Sequence, residues 1–136
     1  MKSAITLAQV PEAKAGPFVF HQSLPDGFAR AGNLGFDAVE LFLPGPEFID
    51  LESVKSMASE HDLGIAAVGT GAGMVQHGLS LTDPDPGRRT EALDFVLSMI
   101  DFGGQLGAPA ILGSMQGKWG GEVSRDQSLV WLTEAL

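Results

Sequence analysis

The polar residues best placed to contact a ligand stand at the ends of short apolar runs. Glu40 ends the second run, where a carboxylate is either a ligand contact or a structural hydrogen-bond acceptor that needs partners. Thr70 and Gly71 follow the third run, as substrate contacts or as a flexible turn. Glu40 is the only carboxylate at the ends of these apolar runs, so no catalytic residue can be assigned from these positions.

A second group of polar residues, Ser114, Gln116 and Lys118, follows the fourth apolar run. An amide forms hydrogen bonds without carrying charge, and an ammonium group can supply the charge that a phosphate requires. Lys118 is therefore a candidate phosphate contact, although a lysine in an exposed loop is more often simply solvated. Trp119 beside it is either a stacking residue or packs against a neighbouring loop.

The three histidines do not have the spacing of a metal site. His21 precedes the first predicted helix and is a candidate binding residue, His61 lies in the last turn of the second, and His77 lies in a long loop. There is no H-x-x-E, H-E-x-x-H or G-x-S-x-G motif and no cysteine. These absences argue against a metal site within this chain, a nucleophilic triad and a disulfide framework.

Charge and composition restrict the class of protein. Eight Lys and Arg stand against 17 Asp and Glu, a net charge of −9, which disfavours a nucleic acid as partner. Hydrophobic residues make up 44% of the chain, but no run approaches the ~18 apolar residues of a membrane helix. The first ten residues make a poor signal peptide. We expect a cytoplasmic globular protein with one domain over residues 1–136 and no membrane partner.

A repeated motif predicts the architecture. The pattern Leu-Gly-x-x-Ala-[Val/Ile] begins at Leu34, Leu63 and Leu106. In each copy the Leu should end a helix on its buried face, and the Gly should supply the left-handed conformation that terminates it. A short apolar run then follows, which suits a buried strand.

Capping residues predict where the helices begin. Ser23, Asp50, Asp85 and Ser124 each precede a segment with helical spacing, and Pro86 suits a first helical position. The apolar faces of the last three predicted helices are read from apolar residues at helical spacing. These stripes are Leu51, Val54, Met57 and Ala58, then Leu93, Val96, Leu97 and Ile100, then Leu129, Leu132 and Leu136.

The strands are predicted at 4–7, 38–42, 65–69 and 110–113. Alternation of strand and helix with short helix-to-strand turns predicts right-handed βαβ units and a parallel sheet. Gly69-Thr70-Gly71 does not complete a dinucleotide fingerprint, because Met74 stands where the third glycine should be. The long segments follow the strands, which is the layout of an α/β barrel of TIM type. The long loop from 71 to 85 has the length of a lid.

Five segments together resemble the sugar phosphate isomerase/epimerase family, whose members have a xylose isomerase-like TIM barrel. They lie at 16–20, 34–41, 68–71, 78–86 and 106–113, in order over almost the whole chain. The resemblance implies a parallel (β/α) fold and an enzyme that epimerises ketoses or interconverts aldoses and ketoses. It implies a sugar or sugar phosphate as ligand. Related proteins often carry Arg where Gln116 stands, so a charge that would hold phosphate is missing here.

The resemblance also implies a divalent metal, Mn²⁺ or Mg²⁺, that assists proton transfer next to a carbonyl. The family carries its metal ligands on strands five to eight of the barrel, and none of those motifs has a counterpart here. We expect about four of eight βα units, a half-barrel incomplete at its C-terminus, against a typical ~250 residues. We expect no metal to be bound by this chain alone and no catalysis of sugar isomerisation by it.

Two other functions stay open. The first is a non-catalytic half-barrel that binds a sugar or self-associates as a homo-oligomer, because two open sheet edges invite pairing. In that case Val39, Val68 and Ile111 would face water or a second copy. The second is action on abasic DNA like that of endonuclease IV, a relative on the same fold, which the acidic charge disfavours. In all cases we expect Glu40, Thr70, Ser114 and Gln116 at one end of the sheet and His61 at the other.

Overall fold

A computed structural model describes all residues from 1 to 136 and contains four strands and five α-helices. No helix combines the length and the apolar character needed to cross a membrane. The elements in chain order are β1 Ala4–Ala8, α1 Leu24–Asn33, β2 Ala38–Phe42, α2 Leu51–Glu60, β3 Gly64–Gly69, α3 Ala72–His77, α4 Pro86–Gln105, β4 Ala110–Ile111 and α5 Arg125–Ala135. Short 3-10 turns at Pro11–Ala15, Pro46–Phe48 and Gly113–Gln116 connect several of them.

The four strands form one parallel sheet in the order β1-β2-β3-β4. Each strand therefore lies beside the strands that precede and follow it along the chain, and β1 and β4 occupy the two edges. This arrangement confirms the predicted parallel (β/α) units of a TIM-type barrel. A register shift in β3 opposite Val39 and Glu40 leaves one extra residue in that strand.

All four predicted helix caps are confirmed. Asp50 and Asp85 accept hydrogen bonds from the backbone N–H three residues later, at 2.8 and 3.0 Å. Ser23 and Ser124 accept from the corresponding N–H at 3.4 and 3.2 Å. Each bond satisfies an N–H that the first turn of a helix leaves unpaired.

The glycines of the repeated motif behave as predicted in two of its three copies. Gly35 and Gly107 have left-handed backbone angles, with φ of 79° and 68°. The prediction is wrong for the middle copy, because α2 already ends at Glu60 and Asp62 takes the left-handed conformation, with φ of 53°. An aspartate tolerates this conformation better than most residues, so the turn comes two residues before Gly64, which lies in β3.

The main core lies between the sheet and the helices. Val39, Leu41 and Val68 are fully buried there, together with Phe28 of α1 and Met99 of α4. The expectation that Val39 and Val68 face the inside of a barrel is therefore wrong, because alternation along the strands turns them towards the helices. Ile111 does lie on the other face and is 43% exposed.

The segment from 71 to 85, predicted as one long loop, contains structure of its own, and its role as a lid stays a prediction. It contains α3, and its later part buries Leu79 and Leu81 in a second cluster with Met115. The backbone N–H of Leu81 donates to the carbonyl of Met115 at 2.9 Å. This contact helps to explain why β4 is shorter than predicted, because the chain turns into a 3-10 turn at Gly113 instead of continuing as a strand.

The predicted apolar stripe of α4 is only partly correct. Leu97 and Ile100 are each 47% exposed, whereas the buried face contains Val96, Met99 and Gly103. A Cβ atom at Gly103 would lie 2.7 Å from the carbonyl oxygen of Ala108 and 2.8 Å from Cγ2 of Val68. The helix therefore turns Met99 and Gly103 towards the core and leaves Leu97 and Ile100 partly in solvent.

The leucine stripe predicted for α5 is also only partly correct. Leu129 and Leu136 are exposed, and only Leu132 packs against the second cluster. Another contact joins α5 to the rest of the chain: the Arg89 guanidinium lies 4.2 Å from the centre of the Trp131 ring. Arg89 also donates to the carbonyl of Asp83 at 2.8 Å, so one side chain links α4, α5 and the segment before α4.

The neighbouring glycines of α4 provide a matched test of this packing. We expect Gly103→Ala to lower the free energy of unfolding by about 1–3 kcal/mol, because the new methyl group meets backbone that cannot easily move. The methyl group of Gly104→Ala would have no neighbour within 4 Å. This substitution should raise the free energy of unfolding by about 0.5–1 kcal/mol, because alanine favours the helix more than glycine does. Urea denaturation measures both. Equal effects in the two variants would contradict the close approach of α4 to β3.

Candidate functional site

A cavity of about 410 Å³ opens at the carboxyl ends of β2, β3 and β4. The segment between β1 and α1 and one side of α3 complete its walls. Its lining consists of Glu12, Ala13, Gly16, Pro17, Phe18, Glu40, Phe42, Gly69, Thr70, Gly71, Val75, Ile111, Gly113 and Ser114. We call it the strand-end cavity. Its position agrees with the general rule that parallel α/β sheets place ligands at this end.

Two glycines create the space in this cavity. A Cβ atom at Gly69 or at Gly71 would lie 2.9 Å from the ring of Phe42. At Gly71 it would also lie 3.2 Å from the hydroxyl of Ser114. Because glycine lacks this atom, the Phe42 ring lies against the end of β3 and the backbone at Gly71 stays open to the cavity.

Much of the wall is apolar. The rings of Phe18 and Phe42 lie 4.9 Å apart between centroids and are tilted by 37°. Ile111 and Val75 also line the cavity and contribute exposed aliphatic surface. Such a wall can pack against the carbon atoms of a ligand while a few polar groups fix its orientation.

Glu40 supplies the carboxylate inside this apolar surround. It is half-buried in β2, directly across from Thr6 of β1, and points to the same side as Phe42. Burial raises the pKa of the Glu40 carboxyl, and a hydrogen bond from the Thr6 hydroxyl opposes this effect in part. The group therefore holds a proton more readily than an exposed glutamate, which suits a residue that exchanges hydrogen bonds or protons with a ligand.

Thr70 lines the cavity but its hydroxyl is directed elsewhere. The side chain is fully buried, and its Oγ1 lies 3.0 Å from the carbonyl oxygen of Ile111 and 2.8 Å from that of Leu112. Its single proton can serve only one of these carbonyls at a time. The hydroxyl thus joins the ends of β3 and β4. A contact from Thr70 or Gly71 to a ligand stays a prediction, and for Thr70 it would come from the backbone.

The other predicted binding residues are spread over several places. Ser114 is exposed and lines the strand-end cavity, whereas Gln116 is exposed at the end of its 3-10 turn and does not line it. Lys118 lies in a different cavity, formed with Trp119 and Asp83. The structure therefore brings Glu40, Thr70, Gly71 and Ser114 together, but not Gln116 or Lys118.

His21 lies behind the wall of the cavity instead of in it. Its Nε2 lies 2.9 Å from the carbonyl oxygen of Phe18, while its buried Nδ1 has no hydrogen-bond partner. Through this contact His21 holds the backbone that presents the Phe18 ring. His61 lies at the other end of the sheet, as expected, where it packs against Gly32 near the end of α1.

The lining residues that were not predicted from the sequence include Glu12, Phe18 and Phe42. Phe42 was detectable, because it stands two residues after Glu40 and alternation places both on one face of the strand. Glu12 lies in the 3-10 turn after β1 and accepts a hydrogen bond from Gln76 at 3.2 Å. No sequence signal placed this turn beside α3.

The residues of this chain do not form a set of metal ligands. No group of three or more His, Cys, Asp or Glu side chains lies close enough together to hold an ion. Within the strand-end cavity the only such side chains are Glu12 and Glu40.

The family described as xylose isomerase-like TIM barrel matches the sequence over residues 28–136. No curated protein matches the chain.

Several solved structures share the fold, among them two of one enzyme. A crystal structure of D-allulose 3-epimerase from Methylomonas sp. in complex with D-allulose superposes with a TM-score of 0.63 and 17% identity, covering 99% of this chain and 47% of that protein. A second structure of that enzyme, with additional C-terminal residues, gives a TM-score of 0.62 and 19% identity, covering 98% of this chain and 47% of that one. The chain thus spans about half the length of the solved structures that it matches.

The raised pKa of Glu40 predicts how stability depends on pH. Because the folded chain binds this proton more readily than the unfolded chain, stability falls as the pH rises from the ordinary value of 4.5 through the raised pKa. We expect Glu40→Gln, which removes the buried charge, to raise the unfolding temperature at pH 7. The advantage should shrink as the pH falls through the raised pKa towards 4.5, and it should be small below 4.5, where the carboxyl is protonated in both the folded and the unfolded chain.

Thermal unfolding followed by circular dichroism across this pH range measures the effect. Glu122→Gln changes an exposed carboxylate and controls for the loss of one negative charge. If Glu40→Gln were destabilising at pH 7 and no different at low pH, the carboxylate would be stabilised by its surroundings and the assignment of burial as the main cause would be wrong.

Proposed function

Because the chain belongs to the xylose isomerase-like TIM-barrel family, we propose that its strand-end cavity binds a sugar as part of a sugar isomerase or epimerase. The resemblance seen in the sequence is confirmed at the level of the family. The observation that carries the proposal is the half-buried Glu40 carboxylate inside a mostly apolar cavity at the carboxyl ends of three strands. In the proposed reaction a proton is removed from the carbon next to a carbonyl group.

Each part of the cavity has a proposed role in holding the sugar. Glu40 accepts hydrogen bonds from sugar hydroxyls, and the Ser114 hydroxyl donates or accepts from the other side. Phe18, Phe42 and Ile111 pack against carbon atoms of the sugar. The missing side chain at Gly71 lets the ligand approach the backbone.

The charge of the cavity favours a neutral sugar over a sugar phosphate. None of its lining residues is Lys, Arg or His, and two are Glu. A phosphate group would meet carboxylates without a compensating cation, which is unfavourable in a partly apolar site. Lys118, the candidate phosphate contact, lies in another cavity.

We further propose that these 136 residues bind the sugar without turning it over. Removal of a proton next to a carbonyl needs both a base and an electrophile for the developing negative charge. Glu40 can serve as one of these groups but not both. A divalent Mn²⁺ or Mg²⁺, as the resemblance implies, would supply the electrophile, but its ligands are not grouped in this chain.

A sugar-binding half-barrel that associates with a second copy is the alternative function. The edge position of β4 and the exposed Ile111 in it favour this alternative. The edge of β1 is less available, because the Ala8 N–H already donates to the carbonyl of Phe20 at 2.8 Å. Unpaired edges of a parallel sheet offer N–H and C=O groups to another strand. In this case the purified chain should sediment as a dimer or larger oligomer, whether or not a sugar is present.

Titration of the purified chain with D-fructose and D-allulose, followed by NMR, tests binding in the strand-end cavity. We expect shifts for Gly69, Gly71 and Ser114, and weaker binding of D-fructose 6-phosphate than of D-fructose. Gly71→Ala should weaken binding by about tenfold or more, because its methyl group enters the space beside Phe42. The Gly71 backbone, with φ of −59°, accommodates alanine without strain.

Gly104→Ala serves as the matched control, since it adds the same methyl group in open space on α4. Equal affinity of the Gly71→Ala and Gly104→Ala variants would contradict binding in this cavity. Ketose interconversion by the chain, assayed with added Mn²⁺, would contradict the proposal that these residues bind without turnover.

A further inference from the structure

The strand-end cavity contains negative charge that no cation of the chain balances. Two carboxylates, Glu12 and Glu40, line it together with no Lys, Arg or His. Neither of them belongs to one of the two ion pairs of the chain. A carboxylate that is partly removed from water usually has a charged partner, because removal from water disfavours the charged form. The cavity therefore lacks a positive group that its lining could hold.

The Glu40 carboxylate is balanced only by a neutral group. The Thr6 hydroxyl donates to it, whereas an ionised carboxylate offers about four lone-pair positions. The pKa of Glu40 is raised by burial more than this hydrogen bond lowers it. A cation beside the carboxylate would lower that pKa again and would gain more from the contact than it gains at a carboxylate in open water.

Aromatic rings border the same space as the Glu40 carboxylate. A Cβ atom at Gly69 would lie 2.9 Å from Cδ2 of Phe42 and 3.6 Å from Oε1 of Glu40. The carboxylate and the ring thus meet at one glycine, and the less buried ring of Phe18 lies 4.9 Å from the Phe42 ring between centroids. Aromatic rings attract ammonium groups to their faces. A carboxylate beside aromatic rings is therefore suited to an ammonium group.

Glu12 adds a second negative charge at the mouth of the cavity. Its carboxylate is exposed and accepts a hydrogen bond from the amide of Gln76 at 3.2 Å. Because this amide is neutral, it positions the carboxylate beside α3 without cancelling its charge. Glu12 can therefore attract a cation that approaches the cavity, although water weakens its contribution.

We propose that the strand-end cavity binds an amino sugar, with the protonated amino group against the Glu40 carboxylate and the aromatic rings. This inference rests on the proposed function, because it takes the sugar site as given and names the class of sugar. The amino group supplies the charge that the lining lacks, while the hydroxyls of the sugar pair with Ser114 as those of a neutral sugar would. Affinity should decrease from an amino sugar to a neutral sugar and from a neutral sugar to a sugar phosphate.

Three ketoses test the role of the charge. 1-Amino-1-deoxy-D-fructose carries the ammonium group, D-fructose carries a hydroxyl in its place, and the N-acetyl derivative of the amino sugar keeps the nitrogen but is neutral. Each is titrated into the purified chain at neutral pH and followed by the NMR signals of Gly69, Gly71 and Ser114. We expect the amino sugar to bind about tenfold more tightly than D-fructose, and the N-acetyl derivative no more tightly than D-fructose. Added salt should reduce the preference.

Variants assign the preference to named carboxylates. Glu40→Gln keeps the shape of the side chain and its capacity for hydrogen bonds, so the ratio of the affinities for the amino sugar and D-fructose should fall towards one. Glu12→Gln should lower this ratio less, because its carboxylate is exposed. Glu122→Gln removes an exposed carboxylate outside the cavity and should leave the ratio unchanged. An unchanged ratio in Glu40→Gln would overturn the proposal.

Two further outcomes would also overturn the proposal. The first is equal affinity of the chain for the amino sugar and D-fructose, which would leave the sugar isomerase proposal standing. The second is a response to methylammonium alone as strong as the response to the amino sugar, because simple attraction of a counter-ion would then explain the data. Failure of all three ketoses to bind would differ from both, since it would contradict the proposed sugar site itself and with it the choice of sugar.

Discussion

Parallel pairing of the strands in one register decides which side chains meet in this protein. One row across the sheet consists of Ala8, Phe42, Gly69 and Ile111. Glu40 lies two residues before Phe42 in β2, in register with Thr6 of β1. Because side chains alternate between the two faces of a strand, all of these residues lie on the face away from the main core. A shift of one residue in β2 would exchange Glu40 for Val39, burying the carboxylate among helices and exposing an aliphatic side chain.

The core enforces this register. Leu41 and Val68 lie side by side on the helix-facing surface and are completely buried. Gly103 lets α4 come close enough to cover Val68, so the packing of one glycine supports the position of the whole strand. Transfer of these aliphatic groups back to water would cost about 1.5–3 kcal/mol each, far more than a weak preference for another pairing. The carboxylate at Glu40 is thus held partly out of water by hydrophobic packing on the opposite face.

Local signals in the sequence were sufficient to predict most elements but not the way they pack. A cap such as Asp50 acts on an N–H three residues away, so its effect can be read from the chain alone. The orientation of α4 depends on a contact between Gly103 and Ala108 across a turn, and a leucine stripe did not reveal it. The position of Glu40 in the cavity could be predicted, because its place in a strand determines the face on which its side chain lies. The position of Lys118 could not, because a glycine-rich loop has no regular alternation of side chains.

The order of the strands in the sheet has a consequence for how the chain acquires its fold. Each pair of hydrogen-bonded strands consists of consecutive strands, joined by one α-helix or, between β3 and β4, by α3 and α4. No strand therefore waits for a partner from a distant part of the chain. Pairing can therefore proceed stepwise from β1, each new unit docking on the edge left by the one before, as in a solenoid. During synthesis on the ribosome, β1 and β2 can already be joined before β4 has been made. At each stage one edge remains ready to receive the next strand.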